Sequence, residues 1–275
     1  MALQNGTKLN QLAHELPEGL LVDAAWLERR GYSRSLRSQY VAAGWLSQPA
    51  RGVYTRPRGV LGWQQIVISL QSLLDVPVSV GGRTALEQQG YAHYLPQSHQ
   101  QVHLYSDAKL PGWLGKLASD WVFVFHNRTR ILPKIEPAID EPLFDGLRQK
   151  AETRSLPGGL RLTSWGEWKW PLIGSGEERA ILELMDELPG DESFHHVDLM
   201  MEGLVNISPG RMQSLLELTK SIKVKRLFLF FANRHNHRWV ARLDKSKIDL
   251  GKGKRSLVKG GKLDPVFQIT VPESF

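Results

Sequence analysis

The sequence predicts an α+β fold, with a small helical unit and hairpin at the N-terminus and a larger mixed α/β section behind it. Three observations point there. Apolar residues recur at helical spacing early in the chain, in Leu9, Leu12, Ala13 and Leu16, and again in Trp63, Ile66, Val67, Leu70 and Leu73. Strand-like runs come forward in the middle, in QVHLY (101–105), which alternates, and WVFVF (121–125). Amphipathic helices then return around Ile181 and Leu215, with short β-rich stretches near the C-terminus.

A chain of 275 residues is long enough for about two domains. Pro96, Gln97 and Ser98 open the β-containing section, so the expected domains are 1–95 and 96–275, dividing near 94–98. Hydrophobic content of 41% and charged content of 23% are those of an ordinary globular protein. No apolar run approaches the roughly 18–20 residues that span a bilayer, and MALQNGTKLNQLAHELPEG lacks the apolar stretch of a secretory signal. Zero cysteines exclude disulfides, cysteine zinc sites and thiol chemistry. A cytoplasmic protein without a membrane partner is therefore expected. The net charge of +7 is unevenly spread: 8 Lys/Arg against 4 Asp/Glu in residues 1–60, 12 against 19 in 61–210, and 15 against 3 in 211–262. Basic ends flanking an acidic middle suggest polyanion-facing surfaces.

The first helix stops near Pro17 and Gly19, and the short apolar GLLV (19–22) reads as a strand. A second helix starts at about Asp23 and closes at Gly31; Ser33 then caps a third, which Gly44 ends. On a helical wheel Leu36, Gln39, Tyr40 and Ala43 share the arc expected to face the core. Arg34, Arg37, Ser38 and Val41 share the opposite arc, with Ser35 and Ala42 beside them. Trp45 to Ser47, a turn through Gln48, Pro49 and Ala50, and Arg51 to Thr55 complete a hairpin. This element order is that of a winged helix-turn-helix, with its core at about 5–58.

Cations at a helix N-terminus oppose the helix dipole, by roughly 0.3–1 kcal/mol each. DNA would explain them, because the third helix of this motif points its N-terminal residues at base edges in the major groove. Arg34 and Arg37 can pair with guanine, Ser35 and Ser38 can bond either a base edge or a phosphate, and Val41 and Ala42 can touch a thymine methyl. Arg51 at the wing tip can reach a phosphate or the minor groove. Arginines also occur on plain solvent faces, but the element order, apolar arc and misplaced cations together favour DNA.

After Pro57 and Gly59 the spacing predicts a helix over 63–74 and another through Thr84, Ala85 and Leu86 that ends at Gly90. Ser175 is the expected cap of the helix in GEERAILELMDELPG, with Glu177 and Glu178 in its first turn. A helix over about 194–204 follows, then Ser208 and Pro209 as N-cap and first residue of another. KVKRLFLFFANRHN (223–236) fits either a helix or a buried strand. WVARL and VFQITVP read as short strands around a Gly/Lys-rich loop.

Two long stretches carry a family resemblance. GYSRSLRSQYVAAGWLSQPARGVYTRP with SVGGRTALEQQGYAHYLPQ resembles the N-terminal half of the AbiEi antitoxin family. ERAILELMDELP, MEGLVNISPGRMQSLLELTKSIKVKRLFLFF and IDLGKGKRSLVKGGKLDPVFQITVP resemble its C-terminal half. The resemblance implies a type IV toxin–antitoxin (abortive infection) system: an autorepressor that binds inverted repeats in its own promoter. It also implies neutralisation of a co-encoded nucleotidyltransferase-like toxin without a stable direct complex. On this chain the DNA contacts fall on Arg34, Ser35, Arg37, Ser38 and Arg51. The basic positions of the C-terminal, antitoxic domain are Lys223, Lys225, Arg226 and the loop from Lys252 to Lys262.

That loop, LGKGKRSLVKGGKL, sets Lys252, Lys254, Arg255, Lys259 and Lys262 among four glycines. It lacks the order of a phosphate-binding P-loop. It reads either as a second polyanion contact, to DNA or RNA, or as a hairpin with exposed lysines. In SWGEWKW, Trp165, Trp168 and Trp170 beside Lys169 could stack on bases, but closely spaced tryptophans more often pack a core or a domain seam. Glu167 and Lys169, with Asp145 upstream, make an ExK spacing found in Mg²⁺-dependent nucleases and equally in many charged chains. The pairs His195/His196 and His235/His237 lack metal-ligand spacing. No catalytic residue, metal or cofactor is expected. The competing readings are a winged-helix regulator with a ligand-sensing C-terminal domain and, less favoured, the nuclease.

Overall fold

The computed structural model describes residues 2–91, 100–117, 121–134 and 152–275. The N-terminal unit begins with α1 (Ala2–Glu15), β1 (Leu21–Asp23) and α2 (Ala24–Arg29). Asp23 caps α2, its carboxylate accepting from the Trp26 amide at 2.7 Å. After α3 (Arg34–Ala42), Gly44 takes φ +77, the left-handed geometry that ends a helix and suits glycine. The wing is β2 (Ser47–Ala50) and β3 (Val53–Thr55), with the turn at Arg51–Gly52; β3 also pairs with β1, giving the order β1-β3-β2. The element order matches the sequence expectation, with the hairpin turn two residues later than predicted.

α4 (Trp63–Ser72) is buried nearly throughout because it is clamped on two sides. Toward the winged unit, Ser69 Oγ accepts from the Leu21 amide of β1 at 3.0 Å. The Gln71 amide donates to Val78 O and Ile173 O and accepts from Ile173 N, each at 2.9–3.0 Å. Those partners lie beside or within β4 (Val78–Val80) and a later strand, so α4 joins the winged unit to the sheet behind it.

That sheet also contains β5 (Gln100–Ser106), β6 (Trp121–Asn127), β7 (Arg154–Ser155), β8 (Leu160–Trp165) and β9 (Trp170–Ser175), in the order β6-β5-β4-β9-β8-β7. β5 runs parallel to β6 over seven paired positions, and β4 parallel to β9; the other pairs are antiparallel. One apolar cluster runs from Leu12, Trp26 and Tyr40 through Ile66 and Leu70 to Val80, Leu104 and Leu172. The division expected near 94–98 lies outside the described residues. β4 and the following α5 (Gly82–Gln88), both ahead of it, are nevertheless part of the sheet and of the second core.

The second core joins α5 to α6 (Glu177–Asp186), α7 (Phe194–Gly203), α8 (Pro209–Leu218) and α9 (Ile222–His235). Glu183, fully buried on α6, pairs with Arg179 at 2.6 Å and accepts from Ser175 Oγ and the Gly82 amide. Ser175 therefore closes β9 and bonds α6 from outside, and Gly176, not Ser175, is the N-cap. KVKRLFLFF is helical, capped by Ser221. WVARL is a 3-10 turn rather than a strand, because the Trp239 indole donates to Leu204 O and draws the segment onto the helices. VFQITVP does form a strand: β10 (Lys262–Asp264) and β11 (Ile269–Val271) make the terminal hairpin.

Candidate nucleic-acid interface

Ser33 fixes the start of α3, its hydroxyl accepting from the Leu36 amide and lying 3.0 Å from Ser35 Oγ. The helix turns Leu36, Arg37, Tyr40 and Val41 inward and leaves Arg34, Ser35, Ser38, Gln39 and Ala42 exposed. Among the described residues Arg34 has no hydrogen-bond or ion-pair partner. An unpaired guanidinium thus stands at the positive end of a helix, beside the exposed Ser35 and Ser38 and a glutamine.

Arg37 does not belong to that face. It is 4% exposed, and its guanidinium donates to Tyr32 O at 2.9 Å, Ala24 O at 3.4 Å and the Glu28 carboxylate at 2.7 Å. Its charge lies over the Tyr54 ring, 5.7 Å from the centroid. Arg37 therefore pins α3 against α2 and the wing, and the expectation that it reads bases is overturned. Val41 likewise packs inward, leaving Ala42 as the methyl-contact candidate. Gln39, assigned by the wheel to the core arc, is exposed; an amide of this kind can pair bidentately with adenine. The inward arc lies about one residue from the expected one.

Arg51 occupies the wing turn, exposed and without a partner among the described residues. Gly52 gives the turn its φ of +78, and its carbonyl accepts from the Ala24 amide at 2.8 Å, which holds the wing tip against α2. Of its neighbours, Arg56 is structural: it donates to Ala13 O, Leu16 O and Glu18 at the end of α1.

The C-terminal basic positions divide in two. Lys223 Nζ donates to Asp186 O and Leu188 O at the end of α6, where burial lowers its pKa against the opposing pull of Asp186. Lys225 is buried. Arg226 is buried too, donating to Leu250 O, Gly253 O and Gln268 O at 2.7, 2.7 and 3.2 Å. None of these three presents its charge to a polyanion; the expectation fails because Lys223 and Arg226 bond carbonyls inside the fold and Lys225 is buried. Lys252, Lys254, Arg255, Lys259 and Lys262 are all exposed and have no side-chain partner among the described residues. Their loop is nonetheless ordered, since Arg226 grips it from below and Thr270 Oγ1 accepts from the Leu257 and Val258 amides. Five unneutralised cations on a braced loop are a second candidate phosphate contact.

Among the described residues the remaining sequence candidates do not assemble into a reactive site. Trp165 and Trp170 stack on each other at 6.3 Å across the β8–β9 hairpin, and Trp170 joins the core. Trp168 is 56% exposed beneath the Arg58 guanidinium. Glu167 sits at the hairpin tip with its side chain 90% exposed, 3.9 Å from Arg58, and Asp145 lies outside the described residues. His235 bonds Asp198 and His237 bonds Met201 O; His196 faces Glu192 at 2.8 Å, and His195 is exposed. The sequence reading missed a buried polar chain: His103 Nδ1 to His126 Nε2 at 2.9 Å, then His126 Nδ1 to Glu187 at 3.1 Å. Burial and the neighbouring His126 hold His103 down at about 4. Burial raises Glu187, but the His126 hydrogen bond and the charges of His126, Arg130 and His103 together outweigh it and leave it below its usual range. Only the charge-poor alternation around His103 hinted at an inward-facing histidine.

A cavity of about 550 Å³ lies at the carboxyl ends of β5 and β6, lined by Asp107, Lys109, Leu110, Pro111, Phe125, His126 and Asn127 among others. Asp107 is held there by Arg128. No helix among the described residues is long and apolar enough to cross a membrane.

Two family models match the chain. Residues 5–97 match the one described as "Transcriptional regulator, AbiEi antitoxin N-terminal domain", and residues 166–272 match "Transcriptional regulator, AbiEi antitoxin, Type IV TA system". No curated protein matches. Among solved structures, the crystal structure of the RV2827C protein from Mycobacterium tuberculosis aligns with a TM-score of 0.55 at 17% identity, covering 95% of this chain and 88% of that one. At that identity the likeness is one of fold.

Proposed function

The chain belongs to the AbiEi antitoxin family of transcriptional regulators in type IV toxin–antitoxin systems, and on that premise we propose that it represses its own operon by binding inverted repeats in the promoter. A single observation carries the reading: the exposed N-terminal face of α3 holds an unpaired Arg34 beside Ser35 and Ser38, with Arg51 free on the wing. In this reading Arg34, Ser35, Ser38 and Gln39 meet base edges and phosphates in the major groove, and Arg51 meets the adjacent backbone. The Lys252–Lys262 loop adds phosphate contacts. The C-terminal section neutralises a co-encoded nucleotidyltransferase-like toxin in the cytoplasm, without a stable direct complex and without catalysis.

Fluorescence anisotropy on the DNA upstream of its gene, against a scrambled duplex and across a salt series, tests repression. Tight binding to the upstream DNA, with the scrambled duplex weaker by roughly 10³ or more, supports it. Equal salt-sensitive binding to both removes base readout. Growth rescue when the toxin is expressed from an unrelated promoter tests antitoxicity separately from repression. The cavity at the ends of β5 and β6 favours one second reading, a regulator whose DNA affinity responds to a small ligand, because the carboxyl ends of parallel strands are where open sheets bind ligands. A metabolite-dependent shift in operator affinity, abolished by Phe125→Ala, would establish that reading.

A further inference from the structure

The six-stranded sheet has a seam inside it. β4 meets β9 in parallel at one position, Val80 beside Gly174, whereas β4 pairs with β5 over three positions and β8 with β9 over six. Buried side chains close the seam at each end where backbone does not. Toward the strand starts, the Gln71 amide of α4 donates to Val78 O and Ile173 O at 2.9 Å and accepts from the Ile173 amide at 3.0 Å. Toward the strand ends, one oxygen of the Glu183 carboxylate, from α6, accepts from the Gly82 amide at 2.9 Å and from Ser175 Oγ at 2.7 Å. A side chain on Gly81 would collide with that carboxylate, so glycine lets the end of β4 approach it. Gln71, Ser175 and Glu183 are all buried.

The seam is also where the two halves of the chain meet. Gln71 and β4 lie in the N-terminal matched segment, which carries the winged unit; β9 and Glu183 lie in the C-terminal one. Each half thus sends one side chain across to the other. Neither latch can let go by degrees. The Gln71 amide is a single planar group, and its departure leaves two carbonyls and an N–H buried without partners, as loss of Glu183 does for Gly82 and Ser175. We propose that the β4–β9 seam opens and closes as one two-state joint between the halves, latched by Gln71 at one end and Glu183 at the other. The structure is the closed state. The joint leads toward the DNA-facing unit, because α4 also holds β1 through Ser69, and Asp23 at the end of β1 caps α2. It leads into the helical core through α6. Two sites influence each other through an element whose states both of them bias, and the proposed repressor function, on which this consequence rests, makes DNA one such ligand.

Residue-resolved hydrogen exchange on the full-length protein reads both ends, since the Ile173 amide bonds Gln71 and the Gly82 amide bonds Glu183. In a single joint the two amides share one opening equilibrium. Both exchange faster than amides in the middle of α9, around the fully buried Leu227 and Phe228, which wait for the core to unfold. Gln71→Met speeds exchange at Gly82 by about tenfold, as much as at Ile173. Ser175→Ala is the milder change, and it speeds Ile173 as much as Gly82. Unequal opening of the two amides in wild type, or a change confined to the mutated end, overturns the joint. Saturating upstream DNA, its binding checked by anisotropy, slows both amides equally. Bound DNA that leaves both unchanged overturns the link to repression. Failure of the upstream DNA to bind refutes the repressor instead, and the two amides in the free protein still decide the joint.

Discussion

Replacing Arg37 by alanine tests whether α3 is oriented as described. The buried guanidinium supplies hydrogen bonds to Tyr32 O, Ala24 O and Glu28. Glu28 is exposed and water replaces the guanidinium there, but Tyr32 O lies in a buried contact, and an unsatisfied buried acceptor costs about 1–3 kcal/mol. Each buried methylene of the deleted stem adds roughly 0.8 kcal/mol at most. A total loss of about 2–4 kcal/mol follows, which in a chain of this size lowers the melting temperature by about 5–12 °C. Arg37→Lys recovers little, since an ammonium cannot reproduce the fork. The assays are thermal and urea unfolding, paired with anisotropy on operator and scrambled DNA below the transition. Wild-type stability with a selective loss on the operator would falsify the assignment and return Arg37 to the groove.

The remaining predictions concern the surfaces and the buried histidine chain. Arg34→Ala leaves the melting temperature unchanged and weakens operator binding by about 1–3 kcal/mol, with a smaller effect on random DNA; equal losses on both sequences would confine Arg34 to phosphates. Replacing Lys252, Lys254 and Lys259 together with glutamine lowers the slope of log K against log salt by up to about 0.9 for each phosphate the loop no longer neutralises, and an unchanged slope would remove the loop from the interface. Folded His103 sits at about 4, below the roughly 6.5 of a free imidazole, so the unfolded chain takes up the proton first as pH falls. Its contribution to stability is complete above about pH 6.5 and is lost on the way down to pH 4, about 3 kcal/mol in all. His103→Gln flattens urea unfolding across that window; an undiminished pH dependence would place its source elsewhere.

Local chemistry was legible in the sequence wherever a side chain acts on its own backbone. Ser33, Ser208 and Pro209 lie at the helix starts the sequence indicated, and Gly44 at the stop it indicated. Features that depend on distant partners were not legible. The helical wheel sorted Arg37 by charge, but its three acceptors lie on α2 and in the turn before α3, which a wheel of one helix cannot contain. Ser175 looked like a cap until β9 and Glu183 claimed it. Arg226 looked like part of a basic surface because nothing nearby in sequence announces that the carbonyls of Leu250, Gly253 and Gln268 converge on it. The pairing of β4 with β9 joins positions far apart in the chain, at Val80 and Gly174, and leaves no periodic trace.

That long-range pairing changes what a winged helix-turn-helix can do here. In a module tethered by a flexible linker, half-site spacing is set by the linker's reach and by the DNA. In this chain α4 bonds β1 through Ser69 and the sheet through Gln71, and one apolar cluster extends from α1 to β9. α3 is in turn pinned to α2 and the wing by Arg37. The orientation of the recognition face relative to β6 is therefore a property of a packed core, whose interdigitated side chains resist deformation. In the proposed repressor the α3 face therefore meets DNA in one fixed orientation relative to the sheet, and not in one set by a linker's reach.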